Sequence, residues 1–371
     1  MNKKRIISLV ATFAVVATLF AGCKANNPTT PGTGTTTPTA KKFKVGLSTD
    51  QGGLNDKSFN QAADSGIKKA QTDLGNIDYK AIESKQKEDY EPNLDALVSD
   101  GNDLVFGVGF QMETAVENMA QKYPKKNFAI IDSVAVDKSG KQLPNVESIM
   151  FKEQEGSFLV GVIAGKVSKA HKIGFIGGID GDLIQRFETG FAAGVKAVDP
   201  TAAKGLIDRT TVKYAGSFDD VNKGYELAKS LINDGCDVIY HAAGGVGIGM
   251  FKAVKEANDA GKKVWAIGVD QDQAVTVPEY KNIILTSCMK RVDSGTYEVT
   301  KEAQAGQFKG GTQLTLGLKE DGVGIAPSSN VNVPADVLAL EKKYEDAIKA
   351  GTIVVPAKKG EAANFTAPSI Q

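Results

Sequence analysis

The fold is decided by the stretch Val45-Gly-Leu-Ser-Thr-Asp-Gln-Gly-Gly-Leu-Asn-Asp-Lys-Ser-Phe-Asn60, which reads as a strand, a loop and the start of a helix. The strand, Phe43 to Thr49, is short, apolar and β-branched, as buried strands are. Two consecutive glycines then allow a tight turn, and Asn55 or Asp56 can cap a helix over about 57–74. In an open α/β sheet such loops lie at the carboxyl ends of the strands, where ligands bind.

The rest of the chain repeats this alternation in two successive units of similar size. Further strands are predicted near 78–83, 103–108, 127–131 and 145–151, and then near 172–176, 210–214, 238–241, 264–268 and 283–287. Strands that alternate with helices of this length predict an α/β fold of parallel sheets with right-handed crossovers. Two such sheets with their carboxyl ends facing each other would enclose a cleft.

Polar and aromatic side chains follow many of these strands. The candidates are Asp50, Asn55, Asp56, Ser58, Phe59 and Asn60 on the first loop, and Phe110, Asp132, Gly177, Phe218, Gly244, Asp270 and Lys290 at later strand ends. Turn and cap chemistry explains most of the glycines. It explains Phe59, Phe110 and Phe218 less well, because large aromatic residues do not form turns, although each could instead belong to the core.

The N-terminus has the pattern of an export signal over residues 1–22. Three basic residues precede an apolar run from Ile6 to Phe20 that is short for a membrane span. Leu19-Phe-Ala-Gly-Cys23 then resembles a bacterial lipobox, in which the cysteine is lipidated, although Phe20 stands where leucine is usual. A plain secretory signal is the alternative. Residues 24–40, which follow this cysteine, are mostly Asn, Pro, Thr and Gly, a composition that predicts a disordered tether.

Composition excludes several classes of function. Lys and Arg total 44 and balance 44 Asp and Glu, so no global basic field recruits nucleic acid. Two histidines and three cysteines are too few and too scattered for a His/Cys zinc site, and we expect neither a metal nor a cofactor. Cys236 and Cys288 read as free buried thiols, with a disulfide as the alternative.

Motifs of catalysis are missing or fail on their spacing. Gly244-Gly-Val-Gly-Ile-Gly249 does not fit the G-x-G-x-x-G pattern of dinucleotide sites. His241, the one histidine near the proposed cleft, reads as a packed residue at a strand end rather than a general base. With no convincing pair of nucleophile and base, we expect a binding protein and not an enzyme.

Seven segments, taken in order, resemble the basic membrane protein family of substrate-binding lipoproteins for ABC transporters, whose best understood members resemble purine-nucleoside receptors. The segments are Asp50-Gln-Gly-Gly-Leu-Asn-Asp-Lys-Ser-Phe-Asn60, Gly107-Val-Gly-Phe110, Ile131-Asp132, Tyr214-Ala-Gly-Ser-Phe-Asp-Asp220, Ala242-Ala-Gly-Gly-Val-Gly247, Gly268-Val-Asp-Gln-Asp272 and Thr286-Ser-Cys-Met-Lys290. Each segment is a weak signal by itself, but as an ordered set across residues 43–358 they are specific.

The resemblance implies a type I periplasmic-binding-protein fold, with two doubly wound parallel-sheet lobes joined by a hinge. Lobe 1 would comprise residues 41–151 plus 289–318, and lobe 2 residues 152–288 plus 319–358. A loose tail would follow over 359–371.

Roles in ligand binding are also implied by the resemblance. Phe59 and Phe218 correspond to a pair that sandwiches the base, and Asp132 to the residue that hydrogen-bonds it. The positions around the ribose or the cleft floor are Asp50, Gly244, Asp270 and Lys290. The remaining candidates for ligand contact are Ser58, Asn60 and Phe110.

From these observations we expect a monomeric receptor, anchored by lipid to the cell membrane on its extracytoplasmic side. It would capture a nucleoside, with a purine nucleoside expected, and deliver it to an ABC transporter permease. The alternatives are a receptor for a sugar or sugar-like signal, and an exported enzyme that acts on a nucleoside or sugar. A regulator of the same two-lobed fold is disfavoured by the export signal and by the absence of a helix-turn-helix.

The lipobox-like run leads to a direct test. Cys23→Ser should release the protein from membranes or leave it unprocessed, because the acceptor thiol is lost. Metabolic labelling with a fatty-acid analogue measures this, and incorporation of label into the variant would contradict lipidation at Cys23.

Overall fold

The computed structural model describes residues 41–368 and residue 370. The predicted signal peptide, the lipidated Cys23 and the tether up to residue 40 lie outside the described residues. From Lys41 onward the chain packs together as one unit.

Twelve strands of this unit form two six-stranded sheets. They are β1 (Phe43–Thr49), β2 (Ile77–Ile82), β3 (Leu104–Val108), β4 (Asn127–Ile131), β5 (Val146–Phe151), β6 (Ile173–Gly177), β7 (Val212–Tyr214), β8 (Val238–Ala242), β9 (Trp265–Asp270), β10 (Ile284–Lys290), β11 (Thr312–Leu316) and β12 (Val323–Ile325). The first sheet has the order β11-β5-β4-β3-β1-β2 and the second β12-β10-β9-β8-β6-β7. Every pairing is parallel except that of β12 with β10. The predicted α/β class with two parallel sheets is confirmed.

Helices cover the faces of both sheets. They are α1 (Phe59–Leu74), α2 (Tyr90–Ser99), α3 (Glu113–Lys122), α4 (Glu153–Val167), α5 (Asp182–Val198), α6 (Pro200–Ile207), α7 (Val221–Asn233), α8 (Val246–Asp259), α9 (Gln273–Thr276), α10 (Val292–Gln304), α11 (Ser329–Asn332) and α12 (Ala335–Lys349). Among the described residues, none of the helices combines the length and the hydropathy that a membrane span requires.

The first unit folds as the sequence predicts, with a small shift at the helix start. Strand β1 is an inner strand, paired with β2 on one side and β3 on the other. Val45 and Leu47 are fully buried because α1 packs on the face to which they point, as in parallel sheets covered on both faces. The predicted cap is Asp56, whose carboxylate accepts from the backbone N–H groups of Ser58 and Asn60 at 3.0 and 2.8 Å. The helix begins at Phe59, two residues later than predicted.

Helices α4 and α5 approach each other unusually closely. A Cβ added at Gly161 would lie 2.4 Å from the carbonyl oxygen of Phe191, and one at Gly194 would lie 2.0 Å from that of Phe158. Only glycine permits this contact. The sequence predicts a helix rich in small residues over 157–168, and α4 begins four residues earlier, at Glu153.

The chain crosses between the sheets three times, and the crossings are joined by backbone hydrogen bonds. It passes from β5 into α4, from β10 into α10, and from β11 into β12. Lys152 N donates to Leu316 O at 3.0 Å, and Arg291 N donates to Gly322 O at 2.8 Å. We call the first sheet with its helices, including α10 packed on α1, the first lobe, and the second sheet with its helices the second lobe.

Both cysteines outside the signal region are free and buried, as predicted. The C-terminal tail differs from the expected loose segment. The ring of Phe365 packs edge-on against Phe158 with centroids 5.7 Å apart, and Lys196 Nζ donates to Ala363 O at 2.6 Å. Ala362 is buried in the core, and its carbonyl also accepts from Lys196 Nζ, at 3.3 Å, so apolar packing and hydrogen bonds together hold this segment on the second lobe.

Candidate functional site

A cavity lies between the carboxyl ends of the two sheets. Its empty space is about 530 Å³, counting the part open to solvent, within the ~300–1,000 Å³ of typical small-molecule sites. Nine of the ten predicted ligand-binding residues line it: Asp50, Phe59, Asn60, Phe110, Asp132, Phe218, Gly244, Asp270 and Lys290. The tenth, Ser58, is fully buried behind the lining, and its hydroxyl donates to the Asp270 carboxylate.

Asp56, a further candidate of the first loop, also lines the cavity, whereas the candidates Asn55 and Gly177 do not. The lining residues that were not predicted from the sequence are Gly52, Gly109, Leu183, Ile184, Phe187, Ala242, Ala243 and Val269. Among them Leu183, Ile184 and Phe187 lie in the first turns of α5. Their helical spacing is equally typical of a core face, so the pattern cannot distinguish side chains that face a cavity from those that face the core.

Phenylalanines from both lobes form the apolar walls. Phe59 is the first residue of α1, and Phe110 follows β3, whereas Phe218 belongs to the second lobe. The rings of Phe110 and Phe218 meet edge to face across the lobes, with centroids 6.1 Å apart and planes at 78°. Phe218 rests on Gly178, where an added Cβ would lie 2.2 Å from the ring, so glycine is required there. All three rings are half-buried, which suits a ligand-facing role better than a core role.

The first-lobe carboxylate Asp50 is held in a fixed orientation. Its Oδ1 accepts from Asn60 Nδ2 at 2.8 Å and from Gly52 N at 3.0 Å. Burial raises the pKa of Asp50, although these hydrogen bonds oppose the shift. Asn60 Oδ1 is buried and has no hydrogen-bond partner among residues 41–368. Since an unpaired buried acceptor costs free energy, this oxygen is suited to a ligand donor.

Asp132 and Asp270 occupy equivalent places in the two lobes. Asp132 directly follows β4, and Asp270 is the last residue of β9. Both have left-handed backbone, with φ of 67° and 64°. Non-glycine residues adopt this conformation uncommonly, and such residues cluster at ligand sites. The strand end therefore turns sharply at each carboxylate, a feature that the sequence does not reveal.

Lys290 lies in a buried ion cluster at the crossing between the lobes. Its Nζ donates to Asp132 Oδ2 and lies 3.3 Å from Glu153 Oε1. Arg186 Nε lies 3.2 Å from the other oxygen of Glu153. The side chains of Lys290 and Glu153 are only 2% and 0% exposed.

The charges of this cluster depend on one another. Burial opposes the charge of Lys290, but the carboxylates of Asp132 and Glu153 outweigh it and raise the pKa of the lysine. Burial likewise raises the pKa of Glu153, while Lys290 and Arg186 act in the opposite direction. Phenylalanine rings complete the surroundings, because Lys290 Nζ lies 5.0 Å from the centroid of Phe59, within cation–π range.

The partner of Asp270 is not the one that the sequence predicts. Lys290 ends the neighbouring predicted strand, a position from which it could orient Asp270, but it is paired with Asp132 and Glu153, and Ser58 contacts Asp270 instead. The lysine acts on Asp270 only through its charge. Burial raises the pKa of Asp270 to about 6, while Lys290 and the Ser58 hydrogen bond lower it.

His241 is a packed residue, as predicted. It is fully buried, its Nε2 lies 2.9 Å from Gln273 Oε1, and burial lowers its pKa to about 4. It does not line the cavity. Within the described part of the chain, no group of three or more His, Cys, Asp or Glu side chains is placed to hold a metal ion.

Comparison with known proteins places the chain among transport receptors. The family model described as ABC transporter substrate-binding protein PnrA-like matches residues 43–359. A CD4+ T-cell-stimulating antigen of Listeria monocytogenes is 41% identical over 331 residues, which are 86% of this chain and 89% of that protein. The ABC transporter nucleoside-binding protein BmpA of Lactococcus lactis is 36% identical over 369 residues, which are 96% of this chain and 100% of that protein.

The fold is shared with solved solute-binding proteins. The crystal structure of an ABC transporter solute-binding protein from Aeropyrum pernix superposes with a TM-score of 0.74 at 30% identity. That match covers 87% of this chain and 96% of the other.

The ion cluster predicts a large effect of one substitution on stability. Lys290→Met should lower the free energy of unfolding by about 3–5 kcal/mol, because Asp132 and Glu153 lose their buried cation. Urea unfolding measures the change. The matched control is Lys342→Met, which removes an exposed lysine that pairs with Glu345 and Asp346 and should change stability little. Equal stabilities of the two variants would contradict the prediction.

Proposed function

The chain belongs to the PnrA-like family of ABC transporter substrate-binding proteins, as its seven segments predict, and we propose that its ligand is a purine nucleoside held between the two lobes. The observation that carries the proposal is one cavity that combines phenylalanines from both lobes with buried carboxylates. The Lactococcus lactis relative, named as a nucleoside-binding protein, supports it.

The aromatic walls suit a flat base. Phe59 from the first lobe and Phe218 from the second line the same cavity, and in the proposal they enclose the base from both sides. Aromatic stacking contributes about 0.5–1.5 kcal/mol beyond the burial of area. Phe187 and Leu183 extend this apolar surface on the second lobe.

The edge of the base would meet Asp132. One oxygen of this carboxylate is held by Lys290, whereas Oδ1 is buried with no hydrogen-bond partner among the described residues. An N–H group of the base can donate to that oxygen. Lys290 thus keeps Asp132 oriented, and Glu153 holds the lysine in turn.

The ribose would meet Asp270 and Asp50. A carboxylate that accepts from both hydroxyls of a vicinal diol forms charge-assisted hydrogen bonds worth about 1.5–3 kcal/mol each. The Ser58 hydroxyl occupies one lone pair of Asp270 Oδ2, so the other oxygen is available. Gly244, with φ of 56°, lets the second-lobe backbone pass close to the cavity.

Capture and delivery would follow from closure of the lobes around the ligand. A ligand that contacts both lobes stabilises the closed state by binding it better than the open one. We propose that the protein works as an extracytoplasmic monomer, anchored through a lipid on Cys23, without a cofactor. It would pass its nucleoside to an ABC transporter permease without altering it chemically.

Calorimetric titration with purine nucleosides tests the proposal and the aromatic walls together. Phe59→Ala and Phe218→Ala should each weaken binding at least about tenfold, the equivalent of about 1.4 kcal/mol of lost stacking and burial, while the protein stays folded. Phe308→Ala, which removes another partly buried phenylalanine that does not line the cavity, is the control. Absence of binding by the wild type would overturn the proposal, and a lower melting temperature with unchanged affinity would place that phenylalanine in the core.

Asp270 has a test that is specific for the ribose. Asp270→Ala should lower affinity about thirtyfold or more, since roughly 2 kcal/mol of charge-assisted hydrogen bonding is lost. The wild type should bind a 2′,3′-dideoxynucleoside poorly, and the variant should discriminate much less between that analogue and the parent nucleoside.

The control for this test is the neighbouring carboxylate. Asp272 accepts from Ser328 N at 3.0 Å and from its hydroxyl at 2.6 Å, away from the cavity lining, so Asp272→Ala should keep full discrimination. Undiminished discrimination in Asp270→Ala would remove Asp270 from the ribose site.

A further inference from the structure

The lobes also contact each other directly, beside the cavity. The contact joins the turn Lys57–Ser58 of the first lobe to residues 270–273 of the second. Gln271 Nε2 donates to Ser58 O at 2.7 Å, and Gln273 Nε2 donates to Lys57 O at 3.1 Å. The Ser58 hydroxyl donates to Asp270. Three hydrogen bonds between protein atoms thus connect two short segments more than 200 residues apart in the chain.

The second-lobe side of this contact is held rigidly. Gln273 is fully buried, and its Oε1 accepts from Val269 N at 2.9 Å and lies 2.9 Å from His241 Nε2. Two donors at this oxygen fix the orientation of the amide, so that Nε2 points to the Lys57 carbonyl. The backbone N–H of Gln273 donates to Ser287 Oγ at 3.1 Å. The neutral His241 therefore helps to orient the Gln273 amide, which donates a hydrogen bond to the first lobe.

The first-lobe side is equally constrained. Lys57 has left-handed backbone with φ of 58°, which is uncommon for a residue that has a side chain. The adjacent Asp56 holds the turn through bonds from the backbone N–H groups of Ser58, Asn60 and Gln61. As a result, two consecutive carbonyls, those of Lys57 and Ser58, are presented to the glutamines of the second lobe.

We propose that Gln271 and Gln273 are positioning residues that latch the lobes in the closed state. Neither side chain lines the cavity, so they act on closure and not on the ligand. The apparent dissociation constant of a ligand that binds the closed state equals its intrinsic value divided by the closed fraction. The latch therefore sets the affinity for every ligand by a common factor. It rests on the proposed function only for the identity of the ligand used as probe.

Distance measurements on the ligand-free full-length protein test the latch without any ligand. Labels on Lys138→Cys in the first lobe and Lys223→Cys in the second report the separation, since both positions are exposed and both native thiols of the described region are buried. Gln271→Ala should shift the distance distribution toward open lobes. An unchanged distribution would overturn the proposal.

Nucleoside binding gives the second readout. Gln271→Ala and Gln273→Met should each weaken binding roughly three- to tenfold, the range for one neutral hydrogen bond, mainly through faster dissociation. The factor should be the same for every purine nucleoside and for the dideoxy analogue. A change in the order of ligand preference would instead place the glutamine in contact with the ligand and overturn the latch.

Two further variants separate the latch from a general structural effect. Gln304 is half-buried like Gln271, and its amide donates to Gly75 O at 2.8 Å within the first lobe, so Gln304→Ala should alter neither closure nor affinity. Gln271→Glu keeps the shape but places an acceptor against the Ser58 carbonyl, and it should open the lobes at least as much as Gln271→Ala. If the lobes of Gln271→Glu stayed closed, the size of the side chain and not its N–H donor would hold them together. That result would overturn the proposal.

The outcomes remain distinct from those of the proposed function. If the wild type binds no nucleoside, the proposed ligand is wrong, yet the distances in ligand-free Gln271→Ala still decide the latch. If Gln273→Met fails to fold because that side chain is fully buried, the half-exposed Gln271 decides it.

Discussion

The buried ion cluster at the crossing between the lobes, in which Lys290 lies between Asp132 and Glu153, is the interaction on which the site depends. Each member comes from a different part of the chain: the end of β4, the first turn of α4 and the end of β10. Taking such charges out of water costs several kcal/mol per ion, and only their close mutual pairing offsets this cost. Asp132 and Lys290 therefore belong both to the lobe crossing and to the cavity lining. A substitution that alters the charge of one of them would affect the stability of the crossing as well as the cavity.

The topology explains why this unit lies beside the cavity. In a parallel sheet every strand ends at the same edge, so residues that follow successive strands meet although they are distant in sequence. Two sheets arranged in this way bring together Asp50 and Asp132 from the first lobe with Asp270 from the second. No single lobe contains the whole cavity lining. In the proposed function closure would therefore be part of binding, and the proposed latch between the 57–58 turn and the two glutamines would act on the same equilibrium as the ligand.

Ten of the twelve strands and about half of the cavity lining could be predicted from the sequence, because apolar runs mark where strands end and aromatic residues such as Phe218 are unusual there. The two strands that were missed, β11 and β12, lack a long apolar run. The pairing of Lys290 with Asp132 could not, since it depends on the distance between residues 158 positions apart. Phe187 was not predicted as a lining residue, because apolar residues at helical spacing can face either the core or a cavity. The left-handed turns at Asp132 and Asp270 carry no sequence signal, as aspartate is common in ordinary turns as well.

The two strand-end aspartates, Asp132 and Asp270, share a backbone conformation but differ in their partners. This difference makes the two ends of the cavity chemically distinct. Asp132 is held by a buried cation, whereas Asp270 has the Ser58 hydroxyl and feels Lys290 only at longer range. Burial raises the pKa of Asp270 to about 6, so its ionised form is less well stabilised than it would be in water. Donors from a ligand would supply the missing stabilisation at that end, and hydroxyl pairs do so well. A ligand with a diol at one end and a flat, N–H-bearing ring at the other would then fit in one orientation, because exchanging its ends would leave the diol opposite a carboxylate that already has its cation.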